Sequence, residues 1–431
     1  MIWEWDFNYN DLHFTPAKRR PGEKAYQFGQ FVEYVQEIAA FDIETCKLPD
    51  NGQSYMYVWQ FAINDICVMG RTWFQLRRFL MHVKYALHGR RLMTFVHNLS
   101  FEGQYLSGIY DFDNSEVFAV DSRKLLKMAP EKWGLELRCS YRLTQLSLDQ
   151  FTARYDVQHK KLSGVEYDYS KVRYPDTELT PAELAYCEND VLGLVEAVKA
   201  LMQLYGDTVY SLPLTSTGFV RREVKRAARA DYHQIKSCWP SYEVYKLLRA
   251  AFRGGNTHAS RFYAGEIVEN VKSRDISSSY PSQQVNKLLP VSELIPCVGK
   301  SVRYLEKTIE QGYAVLMDIR LYNVELWHRY IPVPYIPIAK CPELVDYQAD
   351  NGRVLCARQL RIALTDIDWK IVTKQYKFAR VEVVQLYRAR YGPLPDSLRE
   401  CNLQYFRAKT QLKGVVGQEL FYAKSKELLC S

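Results

Sequence analysis

The stretch "EIAAFDIETC", Glu37 to Cys46, decides the fold. Four apolar residues, Ile38 to Phe41, run into an acid–apolar–acid alternation, the pattern of a strand leaving a core. Asp42 and Glu44 are two apart, so both side chains point to the same face. Two carboxylates at such a strand end repel each other, and each is costly to desolvate. A divalent cation relieves both problems, and an oxygen-rich site of this kind suits Mg²⁺ or Mn²⁺. Taken alone, D-I-E is also what an ordinary exposed strand shows.

Outward from this strand the pattern is α/β. "YVWQFAINDICVMG" (57–70) reads as one or two strands, and "TWFQLRRFLMHVKYALHG" (72–89) as an amphipathic helix closed by Gly89. "RLMTFVHN" (91–98) is a strand, "FEGQYLSGIY" (101–110) opens a helix, and "ELRCSYRLT" (136–144) is another strand. A helix over 181–205 is announced by the capping box Thr180 to Glu183, with Pro181 at its first position and Gly206 beyond its end. In front of residue 36 lies a polar, aromatic arm. "YSLPLTSTG" (210–218) is a turn-rich break, followed by a basic helix from about Val220 to Ala230. "VKSRDISSSYPSQ" (271–283) reads as a strand running into a Pro-initiated helix. Residues 290–395 are strand-like, and 396–431 are helical with an interruption at "KGVVGQ".

The 431 residues suggest two to four domains, and 47% hydrophobic content is that of a globular chain. The net charge of +8 is compatible with a polyanionic partner. More telling are the 32 Tyr within a 14% aromatic fraction, many interleaved with Arg and Lys, a composition that suits single-stranded nucleic acid. The ten Cys form no C-x-x-C pair and no zinc spacing, which fits free thiols in a reducing compartment. No signal peptide and no run of about 18 apolar residues is present, so no membrane contact is expected. The expected location is cytoplasmic, in the host cytoplasm if the protein is viral.

Further polar groups recur on these elements. His97 and Asn98 end a strand, with Phe101 and Glu102 just beyond, and Tyr186 and Asp190 stand at i and i+4 on the capped helix, hence on one face. The set resembles the 3′→5′ proofreading exonuclease domain of family B DNA polymerases, which carries D-x-E, then N-x-x-x-D, then Y-x-x-x-D. Asp42 and Glu44 match the first motif, Asn98 and Glu102 the second, Tyr186 and Asp190 the third; Glu102 stands where the family usually has Asp. The resemblance implies a ribonuclease-H-like fold and a pair of ions held by Asp42, Glu44, Glu102 and Asp190 for in-line phosphodiester displacement. It implies that Tyr186 orients the attacking water, and that His97, Asn98 and Phe101 hold a frayed 3′ end. Lys161, or its neighbour Lys160, would contact a phosphate.

"RDISSSYPSQ" (274–283) resembles motif A of the same family, D-x-x-S-L-Y-P. Asp275 matches the metal-binding Asp, Ser278 the Ser and Tyr280 the sugar-packing Tyr that selects dNTP, while Ser279 replaces the Leu. "FRGGNTH" resembles the Y-x-G-G motif between the two activities, with Phe252 in the Tyr position and Arg253, Gly254 and Gly255 expected to face DNA. "KELLCS" fits the start of motif B, K-x-x-x-N-S-x-Y-G, with Lys426 expected on the triphosphate and Cys430 where Asn is usual. Lys409 with Gly417 fits this motif less well. The chain is expected to be cut within motif B and to lack the later Asp-Thr-Asp hairpin, so polymerisation by it alone is doubtful. Asp366 and Asp368 in "TDIDW" are assigned to surface or structure.

The segment between motif A and the fingers resembles the terminal-protein region of protein-primed phage-type polymerases. The expected organisation is α/β with an α+β palm. It comprises an exonuclease domain with its arm (1–209), a palm part with motif A (210–285), a terminal-protein-region-like insertion (286–398) and the start of the fingers (399–431). The expected partners are a single-stranded 3′ end, primer–template DNA, dNTP and a priming terminal protein. Two rival readings stay open: a stand-alone 3′→5′ DNA exonuclease, and a non-catalytic module that binds DNA or the priming protein.

Overall fold

The computed structural model describes residues 1–27, 29–121, 123–162 and 171–430, with only the backbone of Cys430. Two compact units emerge: residues 1–222 with 416–421, and residues 223–415 with 422–430.

The first unit is built on an eight-stranded mixed sheet. Its central strand, Tyr34–Lys47, pairs antiparallel with Ser54–Ile63, which pairs antiparallel with Ile66–Gly70; the turn between those two passes through Asn64 at φ 53°. On its other side the central strand runs parallel to Arg91–Val96, and that strand runs parallel to Leu135–Cys139. Three antiparallel strands followed by two parallel ones is the ribonuclease-H-like order. The N-terminal arm contributes Ile2–Trp3 to one edge, parallel to Ile66–Gly70.

The strand alternation sorts the side chains. Phe41 and Ile43 enter a core shared with Phe61 and with Leu76, Phe79, Leu80 and Val83 of the Trp73–Ala86 helix. Asp42 and Glu44 point the other way, towards the Pro181–Tyr205 helix. That helix starts as the sequence predicts: Thr180 Oγ1 accepts from Glu183 N, Pro181 occupies the first turn, and Gly206 closes it at φ 66°. Glu183 also accepts from Arg173 Nη2 at 2.6 Å, fixing the start of the helix.

"ELRCSYRLT" corrects an expectation. The strand ends at Cys139, opposite Val96, the last residue of its neighbour, and Ser140–Thr144 turns into helix. Beyond Val96 no ladder remains to hold an extended chain.

The second unit holds a five-strand path, Leu289–Pro290, Arg380–Gly392, Tyr313–Leu326, Arg353–Thr365 and Glu343–Asp350, all antiparallel. One face carries the larger core: Met317, Ile319, Leu321, Leu360, Ile362 and Leu364 under Trp369 and Val372 of the Asp366–Gln375 helix. The other face meets the Tyr242–Ala251 helix through Leu316 and Ala363. Asp366 and Asp368 are buried at a helix start, where Asp366 accepts from Val315 N and Tyr391 Oη, and Asp368 from Thr365 N. Their role is structural, as expected.

The strand predicted at the start of 271–283 does not form. Lys272, Ser273, Arg274 and Asp275 are consecutive polar residues with no apolar face to bury. Val271 and Ile276 on either side are exposed, and no strand among the described residues pairs with them. The helix that follows is Ser279–Asn286, entered through Ser278 in the left-handed region at φ 50°.

Candidate functional site

The central strand outruns its parallel neighbour. Its register with Arg91–Val96 ends at Ala40 opposite Phe95, whereas Asp42 and Glu44 remain paired with Gln60 and Val58 of the antiparallel partner. The strand therefore leaves room on one side where the two carboxylates emerge. Asp190, from the helix, completes a group: ligand oxygens of Asp42, Glu44 and Asp190 all lie within 4.8 Å of one another. Tyr186 is on the same helical face, one turn earlier.

Glu102, on the Leu99–Leu106 helix, is buried, and its carboxyl interacts electrostatically with that of Asp42. Asn98 opens that helix in the left-handed region at φ 70°, a conformation Asn tolerates better than most residues. Its side chain and Phe101 are exposed.

Lys161 is the cation of the site. Its Nζ donates to Asp190 Oδ2 at 2.6 Å and to Tyr186 Oη at 3.0 Å, and lies 4.7 Å from the Tyr186 ring centroid. Sequence reasoning considered a phosphate contact for it; here the ammonium is engaged by a carboxylate within the site. Gln60 Nε2 donates to Asp42 Oδ2 at 2.7 Å. That partner follows from strand register, which the sequence does not display. A cavity of about 290 Å³ opens beside these groups, lined by Asp42, His97, Ser147, Leu148, Asp149, Lys161, Asp190 and Leu194.

Electrostatics follow from burial. Desolvation, then the charge of Asp190, pushes Asp42 up to about 7. Glu44 is raised by burial and by Asp42 and Asp190, and Glu102 by burial and Asp42. Burial raises Asp190 too, against the pull of Lys161. Burial would lower Lys161, but the Asp190 charge and hydrogen bond, with Asp42 and Glu44, outweigh it and raise it. His97 is pulled down to about 4 by burial and the Lys161 charge, so near neutral pH its ring is uncharged; its Nδ1 is 3.0 Å from Ser140 Oγ.

The donor set suits a hard divalent cation. It consists of carboxylate oxygens, and two of them, Glu102 Oε2 and Asp190 Oδ1, are buried with no hydrogen-bond partner among the described residues. Each raised carboxyl would regain its charge beside a cation.

In the second unit Asp275 is exposed in irregular chain, and Tyr280 is 68% exposed. A Cβ on Gly255 would stand 4.0 Å from Tyr280 Oη, so the Gly-Gly segment and the aromatic ring are neighbours. Lys409, passed over in the sequence, donates from Nζ to Ser278 Oγ at 2.8 Å, and Asn402 donates to Gln284 at 2.9 Å. Both come from the Asp396–Leu412 helix, and only its packing on Ser279–Asn286 makes Lys409 stand out. Lys426 is exposed on the Glu419–Cys430 helix; residue 431, matched to the Ser of motif B, lies outside the described residues.

Arg253, expected to face DNA, has a partner within the second unit. It is 2.8 Å from Asp368, and its guanidinium carbon lies 5.2 Å from the Tyr335 ring centroid. Asp368 is itself buried and must be neutralised, which draws the guanidinium inward. Gly254 and Gly255 stay in irregular chain.

The chain is similar to known DNA polymerases. Residues 162–359 match the family model described as DNA polymerase type B, organellar and viral. The DNA polymerase of Bacillus phage phi29 is 26% identical over 258 residues, covering 59% of this chain and 41% of the relative. That of Bacillus phage B103 is 26% identical over 237 residues, covering 54% and 38%. The chain thus spans about two fifths of the length of the curated relatives it matches. Among solved structures, phi29 DNA polymerase complexed with primer-template DNA superposes with a TM-score of 0.68 at 17% identity, covering 91% of this chain and 66% of that one. The same polymerase complexed with single-stranded DNA gives 0.66 at 15%, with the same coverage. The fold is that of these structures. Among the described residues no helix is long and apolar enough to cross a membrane.

Proposed function

We propose, for a chain that belongs to the phage-type, protein-primed branch of the family B DNA polymerases, that its first unit removes nucleotides from DNA 3′ ends and its second carries elements of a DNA polymerase site. The observation that carries the first part is the convergence of Asp42, Glu44 and Asp190 on one point, with Lys161 and Tyr186 beside them.

Asp42, Glu44 and Asp190 would hold Mg²⁺ or Mn²⁺, with Glu102 supporting through Asp42. When bound, a pair of such ions supplies neutralising charge to the attacking and leaving oxygens of the scissile phosphodiester. Lys161 opposes the burial that raises Asp190 and holds the Tyr186 hydroxyl in place, and Tyr186 orients the attacking water. His97, as a neutral ring, shapes the cavity wall, and Asn98 and Phe101 receive the unpaired end. Incubation of a 5′-labelled single strand with the chain and Mg²⁺ or Mn²⁺ is expected to give a ladder shortened from the 3′ end, absent in Asp42→Ala. An intact strand with the wild-type chain would overturn the assignment.

For the second unit the proposed organisation is a palm part over 210–285, a priming-protein-region-like insertion over 286–398 and the start of fingers over 399–431, with residues 1–209 as the nuclease. Asp275, Ser278, Tyr280, Lys409 and Lys426 would face a dNTP, Gly254 and Gly255 primer–template DNA, and the insertion a terminal protein.

The stand-alone nuclease reading has one observation in its favour. Among the described residues the cluster of three or more metal-type ligands is the one in the first unit, whereas Asp275 is exposed. Primer extension lost in Asp275→Ala would place polymerisation here; digestion without extension favours the nuclease alone.

A further inference from the structure

The Tyr242–Ala251 helix has two dissimilar sides. Val244, Leu247 and Ala251 are buried, and they pack on Leu316 and Ala363 of the sheet. Opposite them Tyr242, Tyr245, Lys246 and Arg249, at i, i+3, i+4 and i+7, form a single outward stripe. Its rings are open to solvent: Tyr242 is 72% exposed and Tyr245 51%, flanked by Trp239 at 60% and Phe252 at 61%. Large aromatic side chains left in water forgo the burial that usually retains them, and a contiguous set marks a binding surface.

The cations identify the occupant. Lys246 Nζ lies 4.8 Å from the Tyr242 ring centroid, and the Arg249 guanidinium carbon 5.9 Å from that of Phe252. Lys246 shares an exposed contact of 2.9 Å with Glu243, a weak tie in water. Arg249 has no carboxylate within ion-pair distance among the described residues. Rings alternating with cations over about 15 Å of helix offer a face for a base beside a charge for its phosphate, at a length of a few nucleotides. Protein-binding patches are instead depleted of lysine at their centre.

We propose that this face is a stacking surface for single-stranded DNA, separate from the carboxylate site. The choice of DNA as the polyanion rests on the function proposed above; the surface itself does not depend on any cleavage.

The test uses circular single-stranded DNA, which has no 3′ end to enter the carboxylate site, with the full chain in EDTA. Affinity is measured by fluorescence anisotropy across a salt series. Tyr242→Ala with Tyr245→Ala is expected to weaken binding about tenfold or more, and Tyr242→Phe with Tyr245→Phe to restore it, since the phenyl ring still stacks. Lys246→Gln and Arg249→Gln are each expected to reduce the slope of log K against log salt by about 0.7. Unchanged melting temperatures would show that the exposed substitutions leave the fold intact. Wild-type affinity in the double alanine variant overturns the proposal and leaves a protein as the occupant to seek. Failure of the 3′-end digestion leaves this result untouched, so the two ideas fall separately.

Discussion

Lys161 Nζ lies 2.6 Å from Asp190 Oδ2, which places a basic group inside a cluster of four carboxyls. The ammonium is what keeps Asp190 from being raised further by burial. Replacing it with Met removes that support. Lys161→Met is expected to lower the 3′-digestion rate about 100-fold, on the scale of losing one positioned charge in an active site. The acid limb of its pH–rate profile should also move to higher pH. A profile that keeps its position would show that Lys161 does not set the ionisation of Asp190.

The metal-free protein carries a pH signature. The Asp42 carboxyl is pushed up to about 7 from an ordinary value of 3.8, so the folded state binds a proton there more tightly than the unfolded chain does. Stability from this group is fully present below about pH 4 and is lost as pH rises through about 7. In EDTA, Asp42→Asn should gain thermal stability relative to wild type between pH 5 and 8, by on the order of a few kcal/mol. Titration with Mn²⁺ should show affinity rising with pH over the same window, because the carboxyls must lose protons to ligate. A stability difference between the two proteins that stays constant from pH 5 to pH 8 would contradict this.

Gly193 has no room for a side chain. A Cβ there would meet the His159 carbonyl oxygen at 2.0 Å and Thr152 Cγ2 at 3.2 Å. Gly193→Ala must push the segment carrying Lys161 away from the helix that carries Asp190. The expected outcome is a destabilisation of about 1–3 kcal/mol with loss of digestion. Denaturant unfolding and the ladder assay measure the two effects on the same sample.

Arg253 is a structural cation if its contact with Asp368 is what matters. Arg253→Ala leaves a buried carboxylate without its counter-charge and should cost about 3 kcal/mol in stability. The salt dependence of DNA binding should keep its slope. A slope reduced by about 0.7 with unchanged stability would restore a phosphate contact.

Lys409 and Ser278 form the contact that joins two sequence-distant segments of the second unit. Lys409→Gln is expected to weaken dATP binding about tenfold, measured by calorimetry with Mg²⁺, as the loss of a charged donor to phosphate. An equal loss in Ser278→Ala would instead place the effect on the segment's conformation.

How much of this the sequence displayed depended on the range of the interaction. D-x-E on a strand and Tyr186 with Asp190 on a capped helix are local periodicities, and the structure brings those residues together. Gln60 beside Asp42 depends on strand register, and Lys409 beside Ser278 on the packing of two helices more than a hundred residues apart. Neither leaves a local trace. The strand wrongly expected before Ser278 was read from the isolated apolar Val271 and Ile276, whereas the four residues between them are polar and offer no apolar face. The helix at 140–144 was hidden for a related reason: β-compatible residues continue, but the neighbouring strand has ended.

The central strand of the first unit is gripped on both flanks at Ile38 to Ala40 and on one flank at Asp42 and Glu44. It is built like a cantilever: a root paired on two sides and buried in the core, and a tip with a ladder on one side only. Acidic groups mounted on such a tip have fewer backbone restraints on their spacing than groups at the root, which keeps them aimed at the same place. Amide protons near the tip should therefore exchange with solvent sooner than those at the root.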